Sequence, residues 1–93
     1  MNTALQALIE QGERNVEGKG TAYDGGKDAQ SQARSFRQAE PVTVYPGPAF
    51  EGSADGKVVI PTTMALNHLL FVYVIFNEVP GRIVPVHPYQ IQR

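Results

Sequence analysis

The chain has no cysteine and no tryptophan. Without cysteine there is no disulfide framework, no thiolate nucleophile and no Cys-based zinc or iron–sulfur site. It also lacks an excess of positive charge. Eight Lys and Arg stand against nine Asp and Glu, a formal charge of −1. That balance does not give the electrostatic footprint of a nucleic-acid binder. Proline is missing from the first forty residues, although seven follow them. The length of 93 residues bounds the chain at one small domain with an arm. A hydrophobic content of 42% is above that of a disordered chain.

What is present changes character near Glu40. All seven prolines, nine of the ten valines and six of the eight aromatics lie beyond it. Residues 1–40 read as a polar, partly helical arm and residues 41–93 as a small β domain. Met1–Glu10 has no basic n-region and no long apolar stretch, so no signal peptide is expected. Thr3 and Gln6 have capping-box spacing. Leu5, Leu8, Ile9, Gly12 and Val16 then mark one helix face, ended by Gly18 and Gly20. So short an amphipathic helix needs a surface to dock on, either its own β unit or another molecule. Gly18–Asp28 reads as a polar loop. Asp28–Gln38 reads as a second short helix, with Asp28 as N-cap and Phe36 as its one large apolar anchor.

Beyond Pro41 the period becomes that of strands. Val42–Tyr45 alternates, and Pro46-Gly47-Pro48 breaks the pattern. Asp55-Gly56 is a hairpin-turn signal, with Lys57–Ile60 leaving the turn as a strand. Met64–His68 reads as a connection or a single helical turn. Leu69–Phe76 is apolar on both faces, as in a central strand or an oligomer interface. Leu69, Phe71, Tyr73 and Ile75 are the expected oligomer core. Pro80-Gly81 turns the chain, and Arg82–Val86 returns as an edge strand because Pro85 and Pro88 cannot donate ladder hydrogen bonds. Tyr89, Ile91 and Arg93 alternate with Gln90 and Gln92 as a terminal strand. The expected fold is mainly β: a small antiparallel β-sandwich or half-barrel over about residues 41–92, with an N-terminal arm containing a short amphipathic helix.

A competing reading makes Val58–Phe76 a single membrane span, since these 19 residues carry no formal charge. Pro61, Thr62, Thr63, Asn67 and His68 oppose it. The strongly apolar Leu69–Phe76 would cover only about 12 Å as a helix.

No catalytic constellation emerges, and the chain is read as a non-enzyme without cofactor or metal. Gly20–Asp28 imitates a phosphate loop, but Thr21 stands where its first glycine belongs and Asp28 would repel phosphate. His68 and His87 are the only neutral-pH acid–base candidates. Neither has a nearby carboxylate in sequence, and metal-ligand spacing is absent. Arg34, Phe36 and Arg37 could stack on bases, but two arginines among Asp24, Asp28 and Glu40 suit a helix face or an acidic protein surface better.

A β unit of about fifty residues buries little surface, and oligomerisation is the remaining common staple. Gly56–Val86 (GKVVIPTTMALNHLLFVYVIFNEVPGRIVPV) resembles a pattern of small bacteriophage virion proteins, the capsid-decorating and tail-fibre-type β-sandwich units. The matching pieces are Lys57–Ile60, Pro61–Thr63, Asn67, Leu69–Phe76 and Arg82–Val86. The resemblance implies a non-enzymatic structural subunit located in the virion, a homo-oligomer and often a trimer. With no coiled-coil stalk, it suits a decoration or adaptor protein better than a fibre shaft. The arm would dock on a larger capsid or tail protein through Leu5, Leu8, Ile9, Arg34, Phe36 and Arg37.

Overall fold

The computed structural model describes residues 3–19, 34–47 and 51–92. Helix α1 runs over Thr3–Glu17. The strands are β1 Pro41–Val44, β2 Ala54–Val58, β3 Met64–Leu66, β4 Leu69–Phe76, β5 Ile83–Val86 and β6 Ile91–Gln92. A 3-10 turn, Pro88–Gln90, joins β5 to β6. All strand pairings are antiparallel.

The long strand β4 organises the sheet. Ile75 faces Lys57 of β2 on one side and Ile83 of β5 on the other. β1 pairs with β2, and β6 pairs with β1. β5 and β6 are therefore consecutive in the chain yet lie at opposite ends of the row β5-β4-β2-β1-β6. Four strand spacings of about 4.8 Å separate the ends of such a row when flat. Their link, a 3-10 turn rising about 2 Å per residue, is too short for that. The sheet must curl. The result is the half-barrel form of the expected fold.

Strand alternation selects the core. Val72, Val74 and Phe76 point inward from β4 and meet Val42, Val44, Ala54, Val58, Val84, Val86 and Ile91. Leu5 and Leu8 of α1 complete this cluster with no exposed surface. The change in composition at Glu40 is thus crossed by one shared core. Ala4, Leu5, Ala7, Leu8, Gly12 and Asn15 form the buried helix face. Val16, expected on that face, is 59% exposed. Its place is taken by Asn15, whose Nδ2 donates to the Pro85 carbonyl of β5 at 3.0 Å. Gly12 allows the close approach. A Cβ there would lie 2.5 Å from Val84 Cγ1.

The helix ends as its glycine suggests. Gly18 takes φ +77°, its N–H bonds Asn15 O, and Lys19 N–H bonds Arg14 O, which is the Schellman pattern. The start differs from the expected capping box, since Thr3 is itself helical.

Other local expectations are corrected. Asp55-Gly56 is not a turn but the middle of β2. Gly56 is there because a Cβ would fall 2.7 Å from both Ile75 O and Val74 Cγ1. Met64–His68 is neither helical turn nor loose connection: Met64–Leu66 is β3, hairpinned to β4. Its two-residue turn, Asn67-His68, has φ +53° and +69°, the type I′ pattern. The expected helix Asp28–Gln38 is absent over 34–38, where Ser35 instead bridges Thr62. Its remainder, and the loop from 20 on, lie outside the described residues. In the tail, Tyr89 belongs to the 3-10 turn, and among the described residues only Ile91–Gln92 is strand, while Arg93 lies outside them. Val58–Phe76 folds as strands and turns, and among the described residues no helix is long and apolar enough to cross a membrane. The helical-span reading has no support here.

This packing predicts opposite outcomes for two neighbouring helix positions. Leu8→Ala should lower stability by about 2–5 kcal/mol. Val16→Ala should be neutral or stabilising by a few tenths of a kcal/mol, since Val is exposed there and the poorer helix former. Urea unfolding followed by circular dichroism measures both.

Candidate functional site

Two kinds of polar group occupy the fold: those used to close it and those left outside. Gln90 is the centre of the first kind and is 2% exposed. Its Nε2 donates toward Gln11 Oε1 at 2.8 Å, Tyr45 O at 3.0 Å and Pro46 O at 3.2 Å. Its Oε1 accepts from His87 N–H at 2.9 Å. Gln11 Nε2 donates to Pro46 O at 2.9 Å. The network ties α1, the end of β1 and the 3-10 turn together. No buried side-chain N or O among the described residues lacks a partner. Asn67 makes a second tie. From the β3–β4 turn its Nδ2 donates to Asn15 O at 2.6 Å and Val16 O at 3.3 Å, capping the last turn of α1.

The expected partner-binding residues divide. Leu5, Leu8 and Phe36 are buried in the chain's own core. Arg34 Nη1 donates to Pro88 O at 2.9 Å and Ile91 O at 3.4 Å. Its guanidinium lies 5.3 Å from the Phe36 ring centre. It therefore clamps segment 34–36 to the last strand. Ile9 is half-buried, and Arg37 is exposed with its Nε 3.9 Å from Glu40.

The expected oligomer core also divides. Phe71 is 1% exposed and packs against His87, ring centres 5.0 Å apart. Leu69, Tyr73 and Ile75 share the outward face of β4 with it but remain half-exposed. Ile75 sits in a cross-strand row with exposed Lys57 and Ile83. Burial pushes the Tyr73 phenol pKa above its ordinary value of 10.0. The fold thus holds that proton more tightly than the unfolded chain does. Stability from this source is present below pH 10 and falls as pH rises above it.

Among the described residues, grooves mark the surface at several places. One, of about 260 Å³, runs between α1 and β5 past Ile9, Val16, Arg82 and Ile83. Two others, of about 420 and 340 Å³, flank Lys57 and Asn77. The histidines do not meet in a site: His68 is exposed at the hairpin tip and His87 is buried beside Phe71. Asp55 Oδ1 accepts from Thr43 Oγ1 at 3.0 Å. Among the described residues no group of three His, Asp or Glu could hold a metal ion. Asp24 and Asp28, with the rest of the phosphate-loop imitation, lie outside them.

Sequence reasoning missed Gln11, Asn15, Asn67 and Gln90 as the residues that fix the elements. The signal for Asn67 was available, since Asn readily takes positive φ in a two-residue hairpin turn. Gln90 carries no such local signature. No family model, curated protein or solved structure matches the chain. Gln90→Ala should cost about 1–3 kcal/mol, because the buried bond from the His87 N–H is lost and the part-buried Gln11 and Tyr45 oxygens lose this donor. A thermal or urea unfolding comparison reads that loss directly.

Proposed function

We propose that this chain is a non-enzymatic structural subunit that self-associates through the outward face of β4 and works within a larger particle. The observation that carries the reading is the state of β4. It is a central strand, paired on both edges, yet Leu69, Tyr73 and Ile75 remain half-exposed. Apolar side chains left partly exposed on a central strand of so small a chain suit an interaction surface. The small size of the β unit supports the same reading, since association would supply burial that one copy lacks.

The resemblance of Gly56–Val86 to phage decoration and tail-fibre-type units gives the particle its identity in this proposal: a bacteriophage virion. The chain would be a decoration or adaptor protein. Leu5 and Leu8 serve its interior, so contact with a larger capsid or tail protein falls to the outer surface of α1 and the strands beside it.

Size-exclusion chromatography with light scattering, in buffer without detergent, tests the self-association. A discrete oligomer, a trimer by the resemblance, is expected, and Ile75→Lys should reduce it to a folded monomer. A monomeric wild-type chain at every concentration would overturn the self-association. Mass spectrometry of gradient-purified virions tests the location: a stoichiometric copy number is expected, and absence of the chain contradicts it.

A further inference from the structure

We propose that the groove between α1 and β5 is the docking site for a basic amphipathic segment of another protein. This rests on the reading of the chain as a subunit of a larger assembly, and it names the chemistry of the contact.

The groove has an apolar floor and lip. Val84 and Pro85 are buried beneath it and Ile9 is half-buried at its side. Val16 and Ile83 stand at the lip, 59% and 54% exposed. These two aliphatic side chains come from distant parts of the chain and are exposed at one place. The volume of about 260 Å³ is ample for an aliphatic anchor. Cavities of roughly 150 Å³ already admit a benzene-sized group.

Charge then selects the occupant. Glu10, Glu13 and Glu17 follow the i, i+3, i+7 spacing of one helix side, next to Ile9 and Val16. Arg82 is the one cation lining the groove, and it already pairs with Glu13 at 2.9 Å. Among the described residues Glu10 and Glu17 make no ion pair. Arg14 flanks the stripe on the side away from the groove, four residues from Glu10 and three from Glu17, and pairs with neither. An apolar trough with an acidic wall complements a segment that inserts an aliphatic side chain and carries Lys or Arg one turn away. A second copy suits the groove poorly. A two-fold contact would set the acidic stripe against its own image.

The test uses the full-length, isotope-labelled chain and a synthetic Leu/Lys amphipathic peptide of about 14 residues. A Leu/Glu peptide of the same pattern is the control. Amide shifts should appear at Val16, Glu17, Arg82 and Ile83 with the basic peptide only, and weaken at about 0.5 M salt. Glu17→Lys and Val16→Lys change exposed side chains, so the remaining spectrum should stay unchanged while affinity drops about tenfold or more. The proposal is overturned by absent shifts, by equal binding of the acidic peptide, or by variants that bind as the wild type does. It is also overturned if dilution alone moves the groove signals, which would make a second copy the occupant. Repeating the titration on Ile75→Lys separates this proposal from self-association: peptide binding should persist in the monomer.

Discussion

Helix α1 can lie against the edge strand β5 because Gly12 has no Cβ, and the rest of the molecule depends on that contact. Once Gly12 meets Val84 and Pro85, Leu5 and Leu8 reach the open side of the curled sheet. Each fully buried leucine contributes roughly 1.5–3 kcal/mol. Domain stabilities are only about 5–15 kcal/mol in all, so the pair is a substantial share. The contact also solves a backbone problem. Pro85 has no N–H, and Asn15 bonds its outward carbonyl, so α1 covers part of an edge that would otherwise be open to another strand. The β3–β4 turn closes the arrangement from outside by capping the helix end through Asn67.

The curl and the helix explain each other. A 3-10 turn too short to cross a flat sheet forces β5 and β6 toward one another. Curling concentrates the inward valines on one side, and α1 supplies the large side chains that fill it. Gln90 secures the same junction with hydrogen bonds to α1 and β1. With Leu5, Leu8 and Phe36 in the interior and half-buried Arg34 bonded to the chain's own 3-10 turn and β6, contact with a partner is left to what stays outside. In the proposed reading, that is the outward face of β4 and the acidic, apolar-lipped groove beside β5.

Much of the fold was legible in the sequence, and the reasons are local. Leu69–Phe76 was bounded correctly because a continuous β-branched and aromatic run has one natural reading at that length. β5 was recognisable as an edge from Pro85. The amphipathic helix was legible, but its exact face was not. Apolar periodicity favours Val16, whereas the structure buries Asn15 for a hydrogen bond to a residue seventy positions away. Gly56 misled because a glycine required by close strand approach looks like a turn glycine. The segment 34–38 misled because its partner, Thr62, is distant in sequence. Of the expected interaction residues, the leucines and Arg34 are used internally. Whether an amphipathic face turns inward or to a partner is decided by the sheet, which local spacing does not describe.

The central claim is that helix and sheet form one cooperative unit. Native-state hydrogen exchange tests it most directly, by comparing the amides of α1 with those of β4. The account predicts that the slowest amides of both elements exchange through the same global opening, with equal free energies and equal denaturant dependence. Exchange of α1 amides at far lower free energy, with β4 still protected, would show a helix that undocks from an independently stable sheet and would contradict the account.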